Sequence, residues 1–469
     1  WGGKPADYEM DPEIVNDPNY SELIIPSLEA LPSLSIAINP DDFYGASGIY
    51  QHPKSEGERW ERAISVELLT KDGTEKGFQI DSGMRIQGGS SRNTDIPKHS
   101  FSLRFRKEYG SGKLNYPLFK NSPYGETAVQ KFDYLQLRGG FNFGWTHRHY
   151  YQSKHAQYNR DQFANDLFLA MRNSGIHGRW THLYINGLYW GIYHIHERPD
   201  ADFMNAYFGE KELFYDAINS SSATDGSLVA YNKMVTVSSN LVSSPQEYEN
   251  LKKHLHIESF IDYMLLNFYI GNRDWDGHNW RAAGNGPSGE PFRFFPWDSE
   301  FALSPNNSGA IQSPNPISNA LLTDVTNKNG NQRPTGIHQK LKNNNWYRLK
   351  FADHIRKHLF NGGPLSPEGA KTIWKKRSDS LEMAIIAESA RWGDFRRDVD
   401  AGRWSPSQFD LYTKNKHYKQ TQNWIFESYF PNRTDILLDQ LRLRGLYPDT
   451  EAPNFSQHGG QVISDYTLS

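Results

Sequence analysis

The sequence predicts an α+β fold in two lobes, with a sheet-rich first part and a mainly helical second part. Three observations lead to it. Apolar residues alternate with polar ones in runs such as "ISVELLT" (64–70) and "HSFSLRFR" (99–106), which is the period of a half-buried strand. Two more alternating runs flank Asn186-Gly187, a dipeptide that favours the tight turn of a hairpin. Beyond Glu197 the spacing changes: Phe260, Ile261, Met264, Leu265 and Phe268 recur at helical intervals.

Taken in order, residues 1–33 are rich in proline and acid without periodicity and read as an extended N-terminal arm. "SLSIAI" is the first strand. Ile64, Val66 and Leu68 mark a second, and "KDGTEKG" supplies turn chemistry before "FQIDSGMRIQG" returns as its partner. Phe101, Leu103 and Phe105 mark the next strand, and "FDYLQLRGG" (132–140) follows in the same style. A helix is expected from about Gln152 to Asn173, with Gly175 just past its end. "THLYINGLYWGIYHIHE" (181–197) forms the hairpin. Ser244 and Pro245 then cap and open a helix in "SSPQEYENLKKHL". Residues 304–336, rich in Asn, Pro, Ser and Gly, read as a long loop of the kind that is functional or mobile. From about 337 to 446 the pattern is helical. The resulting division is an arm at 1–33, a sheet-rich lobe at 34–197, a mainly helical lobe at 198–447, and a tail at 448–469 that reads as strand-forming or as the start of a further domain. A cleft between the lobes is the natural place for a site, with the crossover after Glu197 as hinge.

Bulk properties narrow the function. The 469 residues carry 51 basic and 54 acidic side chains, a net charge of -3, which argues against bulk electrostatic binding to nucleic acid. No apolar run reaches membrane-spanning length. There is no cysteine, so disulfides, thiolate nucleophiles and Cys-ligated zinc are excluded. The chain begins with Trp1, from which a removed leader or upstream domain is expected. Mean hydropathy is -0.74 despite 14% aromatic residues; such aromatics either face carbohydrate or fill the core.

The densest chemistry lies in "GNRDWDGHNW", Gly271 to Trp280, at the end of an apolar helix. Asp274 and Asn279 are five apart, which on an α-helix leaves their side chains roughly 140° apart and unable to share a ligand. Gly277 between them argues for a loop, which can turn both to one point. "NWRAA" can pair with "FRFFPWD" as a second hairpin, bringing Asn279 near Asp298. An aspartate, a carboxamide and a second aspartate are hard oxygen ligands that suit Mg²⁺ or Mn²⁺. Asp274 then remains off the metal, free to accept a hydroxyl proton. Protein kinases use the same logic, with a loop aspartate, an asparagine five residues on and a later metal-binding aspartate.

Around this loop the chain resembles the CotH kinase-like family, named for spore-coat protein H, over roughly residues 34–447. The matching pieces, in order, are "GIYQHP", "GERWERAISVELL", "GMRIQGGSSR", "PKHSFSLRFRKEYG", "LRGG", "LYINGLYWGIYHIHERPD", "GNRDWDGHNW" and "FFPWDSEF". The resemblance implies an atypical protein-kinase-like fold, ATP with a divalent metal, and phosphorylation of serine in secreted or coat proteins. It gives Asp274 the catalytic role and Asn279 and Asp298 the metal roles. It makes Lys98 the phosphate-binding lysine, places Ser91 and Arg92 of "GGSSR" in the phosphate-proximal loop, and sets Glu197 at the hinge-side edge of the nucleotide pocket. Two departures stand out. "GGSSR" is not an ordinary Gly-rich loop, and the helix expected at 152–173 offers Asp161 and Asp166 but no glutamate to pair with Lys98. Longer chains of this kind resemble pieces of large secreted or cell-surface bacterial proteins, some associated with polysaccharide breakdown.

Several residues read in two ways. Lys98 also reads as a surface lysine at a strand start, and Arg92 as a loop arginine bonded to backbone carbonyls. His194 and His196 share one strand face, as half of a metal site or, more ordinarily, as a polar strand face. Glu300, two residues past Asp298, is placed to support a bound metal. Asp276 and His278 orient the loop, and Trp275, Trp280 and Trp297 pack it. Three functions remain open on the sequence alone: a metal- and ATP-dependent phosphotransferase acting on a Ser or Thr hydroxyl of a protein, a kinase-fold module that binds an extracellular glycan or coat partner, and a metal-assisted enzyme acting on polysaccharide.

Overall fold

The α+β class holds. A computed structural model describes residues 6–71, 75–209, 215–240, 244–286, 289–305, 320–450, 453 and 464–467. Most of the first half of the 304–336 loop and most of the 448–469 tail, with the expectations placed on them, lie outside the described residues.

Seven strands form a closed barrel: β1 (Ser33–Ile38), β2 (Arg62–Leu69), β3 (Phe78–Gln87), β4 (Ser100–Arg104), β7 (Tyr134–Arg138), β8 (Gly178–Ile185) and β9 (Leu188–His196). A short pair, β5 (Leu114–Asn115) with β6 (Lys131–Phe132), lies outside it. Ile64, Val66, Leu68, Phe101, Leu103 and Phe105 all point into the barrel core, as their alternation requires. β2 and β3 pair antiparallel from Arg62↔Met84 to Leu68↔Phe78. The β8–β9 turn has positive φ at both Asn186 (49°) and Gly187 (81°), the geometry for which Asn-Gly is suited. Closure comes from a parallel pairing of β1 with β8, Ser33↔His182 to Ile36↔Ile185. The Asn186 carboxamide continues that seam by bonding both the N–H and the C=O of Ile38 at 2.9 Å.

A second sheet, in the order β11 (Ser222–Asp225), β10 (Asp216–Asn219), β12 (Trp280–Gly284), β13 (Arg293–Pro296), packs with the helices around a separate apolar core. The Pro245–Lys252 helix is capped by Ser244, whose Oγ accepts from Glu247 N at 3.2 Å. The Ile257–Ile270 helix is buried on every side except at Glu258 and ends at Gly271 in the left-handed region (φ 61°). No helix among the described residues is long and apolar enough to cross a membrane.

Two expectations need correction. The helix read from Gln152 to Asn173 is two helices, Tyr150–Lys154 and Arg160–Ala170. Gln157 is drawn out of the helical path by tertiary hydrogen bonds, from its backbone N to Phe143 O and from its side chain to Tyr418 O. The arm is not extended. Pro12–Val15 and Ile24–Glu29 are short helices, and Ile14, Tyr20 and Ile24 pack on Ile386 and Ala390 of the Pro367–Trp392 helix. Asp11 caps the first through a bond from Glu13 N, with Pro12 at its first position. Apolar residues at such irregular spacing carry no period to read.

The link after β9 borders a cavity of about 330 Å³ lined by Lys113, Asp133, Tyr134, Glu197, Arg198 and Asp200 among others. Burial and the neighbouring Asp202 and Asp200 push the Asp133 carboxyl up to about 9. The folded chain therefore holds a proton there that the unfolded chain has lost above about pH 4. That contribution is complete below pH 4 and disappears as pH rises through 9. Asp133→Asn is expected to raise Tm at pH 8 relative to the parent, with the difference shrinking towards pH 5. Thermal unfolding across that range checks it.

Candidate functional site

The Ile257–Ile270 helix delivers the Gly271–Trp280 loop. Its last carbonyls are held by Arg433, whose guanidinium donates to Tyr269 O (2.8 Å), to Phe268 O and to Leu321 O (2.8 Å). The loop is pinned by its tryptophans, both fully buried: Trp275 Nε1 donates to Tyr263 OH (2.6 Å) and Trp280 Nε1 to Asp276 O (3.2 Å). Asp276 is an anchor, its Oδ2 accepting from Thr335 N (2.9 Å) and Oγ1 (2.8 Å). This is the orienting part that the sequence suggested for it.

Asp274 is left in the open part of the loop, between two partners. Asn279 Nδ2 donates to its Oδ2 at 2.9 Å, and His278 Nε2 lies 2.9 Å from its Oδ1. Burial raises the Asp274 pKa and the Asp298 charge adds to that, while His278 and Asn279 pull it down. β12 and β13 pair antiparallel with Trp280 opposite Pro296, so the turn out of β13 brings Asp298 beside the loop as the hairpin reading required. Asn279 and Asp298 both have positive φ (65° and 57°), a turn conformation that Asn and Asp tolerate better than most residues.

Asp298 enters a carboxylate cluster centred on Arg138, at the end of β7. The guanidinium donates to Asp298 and to Glu300 (2.8 Å) and lies 3.4 Å from Asp161. Asp161 Oδ1 accepts from Ser299 N (2.7 Å), and Glu300 Oε2 from Asn142 N (2.7 Å). Burial, with Asp298 and Asp161 nearby, lifts Glu300 to about 7 against the pull of Arg138. Three carboxyl groups, those of Asp298, Glu300 and Asp161, converge on this guanidinium, and Asp298 is also close enough to raise the Asp274 pKa. This set of hard oxygen donors with excess negative charge fits a divalent cation such as Mg²⁺ or Mn²⁺.

Lys98 is fully buried and ion-paired to Glu388, a residue of the Pro367–Trp392 helix. Its ammonium also lies 5.2 Å from the ring centres of Tyr158 and Tyr193. Glu388 turns its other oxygen to Ile192 N at 2.7 Å. A cavity of about 20 Å³, room for one water, adjoins the carboxylate cluster and reaches Tyr158 and Ile192, which contact this pair. Arg138, Tyr158, Asp161, Ile192, His194 and Glu300 are among its walls. The partner missing from the helix at 152–173 thus comes from much later in the chain. Its one sequence signal is a charge inside the apolar run "AIIAESARW". Arg138, visible only as part of "LRGG", had no signal of its role.

The remaining candidates are engaged elsewhere. Arg92 is buried and donates to Pro53 O (2.7 Å), Ser55 O (3.1 Å) and Glu56. Ser91 lends its carbonyl to His99 Nδ1 at 2.8 Å. Both oxygens of Glu197 are taken, by His177 N and Nδ1 (each 2.9 Å) and by Tyr207 OH (2.7 Å). His194 and His196 are stacked, buried and close to Asp161. Burial holds both rings neutral, with His196 down to about 3.

Gly191 makes the Lys98–Glu388 contact possible. It has φ 103°, and a Cβ there would lie 2.6 Å from Glu388 Oε2 and 2.7 Å from Trp392 Nε1. Gly191→Ala is expected to cost about 1–3 kcal/mol, read from the denaturant midpoint.

By family the chain is a kinase-like protein. The family model described as "CotH kinase protein" matches residues 84–428, and the chain belongs to that family. The match begins inside β3, so β1 and β2, which close the barrel, fall outside it. No individual curated protein matches the sequence.

Proposed function

We propose that this chain is an ATP- and divalent-metal-dependent phosphotransferase acting on a Ser or Thr hydroxyl of a protein, at the cell surface or outside the cell. The observation that carries the reading is Asp274, held between His278 and Asn279 beside the carboxylate cluster of Asp298. Its raised pKa suits a group that receives a proton during attack. Asn279 orients that carboxylate and, with Asp298, offers oxygens to Mg²⁺ or Mn²⁺, which when bound neutralises phosphate charge. In this reading Lys98, aligned by Glu388, is the positive charge for phosphate. Arg138 now neutralises Asp298, and admitting a triphosphate requires it to release that oxygen. Catalysis then rests on positioning and electrostatics. Ser91, Arg92 and Glu197 border the nucleotide in this reading only if their present partners exchange.

The test is incubation with labelled ATP, Mg²⁺ or Mn²⁺ and acceptor proteins, beside calorimetric titration with nucleotide. Label on serine or threonine is the expected result. No nucleotide binding at millimolar ATP in either metal would sink the reading.

A further inference from the structure

We infer that Asp262, His354 and His358 form a structural site for a Zn²⁺-type cation, remote from the Asp274 loop. Asp262 lies on the Ile257–Ile270 helix, and the histidines lie four apart on the Asn345–Leu359 helix, so they face the same way. His354 Nδ1 is 2.6 Å and His358 Nε2 2.8 Å from the same oxygen, Asp262 Oδ1. One ligand atom from each of the three lies within 4.8 Å of the others.

Two imidazole nitrogens and one carboxylate oxygen are the donor set of a three-residue zinc site with a fourth position for water. His354, 10% exposed, stands at the open side, while His358 and Asp262 are 1% and 5% exposed.

Two features favour a cation over a simple hydrogen-bonded cluster. His358 is buried, yet neither of its ring nitrogens makes a hydrogen bond; Nε2 is near Asp262 but off the line of one. A buried ring left so is costly unless something else engages it. Asp262, in turn, has its second oxygen fixed by Asn173 Nδ2 at 2.9 Å, the kind of outer support that orients a ligating carboxylate.

Bound there, the cation joins the turn after the Arg160–Ala170 helix, through Asn173, to the two helices. It would thereby fix the helix that carries the Asp274 loop.

The test uses the full chain, stripped with chelator and titrated with Zn²⁺ and Co²⁺. One Zn²⁺ per chain, a Tm rise of several degrees and the intense visible bands of four-coordinate Co²⁺ are expected. His354→Ala and His358→Ala should each lose binding by at least tenfold, while Asp298→Asn keeps it. Should a histidine variant fail to fold, the Co²⁺ spectrum of the parent chain decides: intense bands support the site, and weak six-coordinate bands overturn it. Absence of stoichiometric Zn²⁺ binding, or binding lost in Asp298→Asn but kept in both histidine variants, also overturns it. Phosphotransfer plays no part in this readout, so failure of the proposed activity leaves it intact.

Discussion

Asp274→Asn is expected to reduce phosphoryl transfer by about 10²–10⁴-fold, the range for loss of a positioned proton acceptor. The replacement keeps the size of the side chain and lets one carboxamide oxygen still accept from Asn279. What it removes is the ability to take a proton and the charge opposed by His278. The side chain is about one-third exposed, at 34%, so unfolding should change by no more than about 0.5 kcal/mol. A single-turnover assay beside a thermal melt separates the two effects. A variant that keeps more than a tenth of the parent rate would remove Asp274 from the chemistry.

Glu388→Ala should give the largest loss of stability, about 3–5 kcal/mol. It leaves the Lys98 ammonium in a fully buried position without its countercharge, and leaves Ile192 N without its acceptor. Burial already lowers the Lys98 pKa, and Glu388 is the main group opposing that. Replacing both partners with apolar residues, Lys98→Met with Glu388→Leu, should recover much of the lost stability, because the desolvation cost disappears along with the attraction. Denaturant unfolding of the single and double variants measures this. Activity distinguishes support from chemistry: the double variant should be stable and inactive. A stable, active double variant would mean that Lys98 serves only packing.

Local pattern reached some parts of this molecule and not others. Alternation in β2 and β4 and the Asn186-Gly187 turn could be read directly, because side-chain direction and turn geometry are properties of a few adjacent residues. The β12–β13 hairpin was legible for the same reason, and with it the approach of Asp298 to the loop. Closure of the barrel was not, since nothing in "SLSIAI" specifies the parallel partner found in β8. Glu388 was hidden by its distance from Lys98, and Arg138 because a strand-end arginine shows its partners only after three separate segments meet. The broken helix at His155–Asn159 likewise depends on Tyr418, far along the chain.

The 290 residues between Lys98 and Glu388 also have a consequence for biosynthesis. At a ribosomal rate of roughly 5–20 residues per second, the lysine emerges some 15–60 s before its glutamate. Over part of that interval β1 also waits for β8, and its unpaired edge is exposed to neighbouring chains. Chains stalled before β8 has emerged should therefore aggregate more readily on release than chains stalled beyond it.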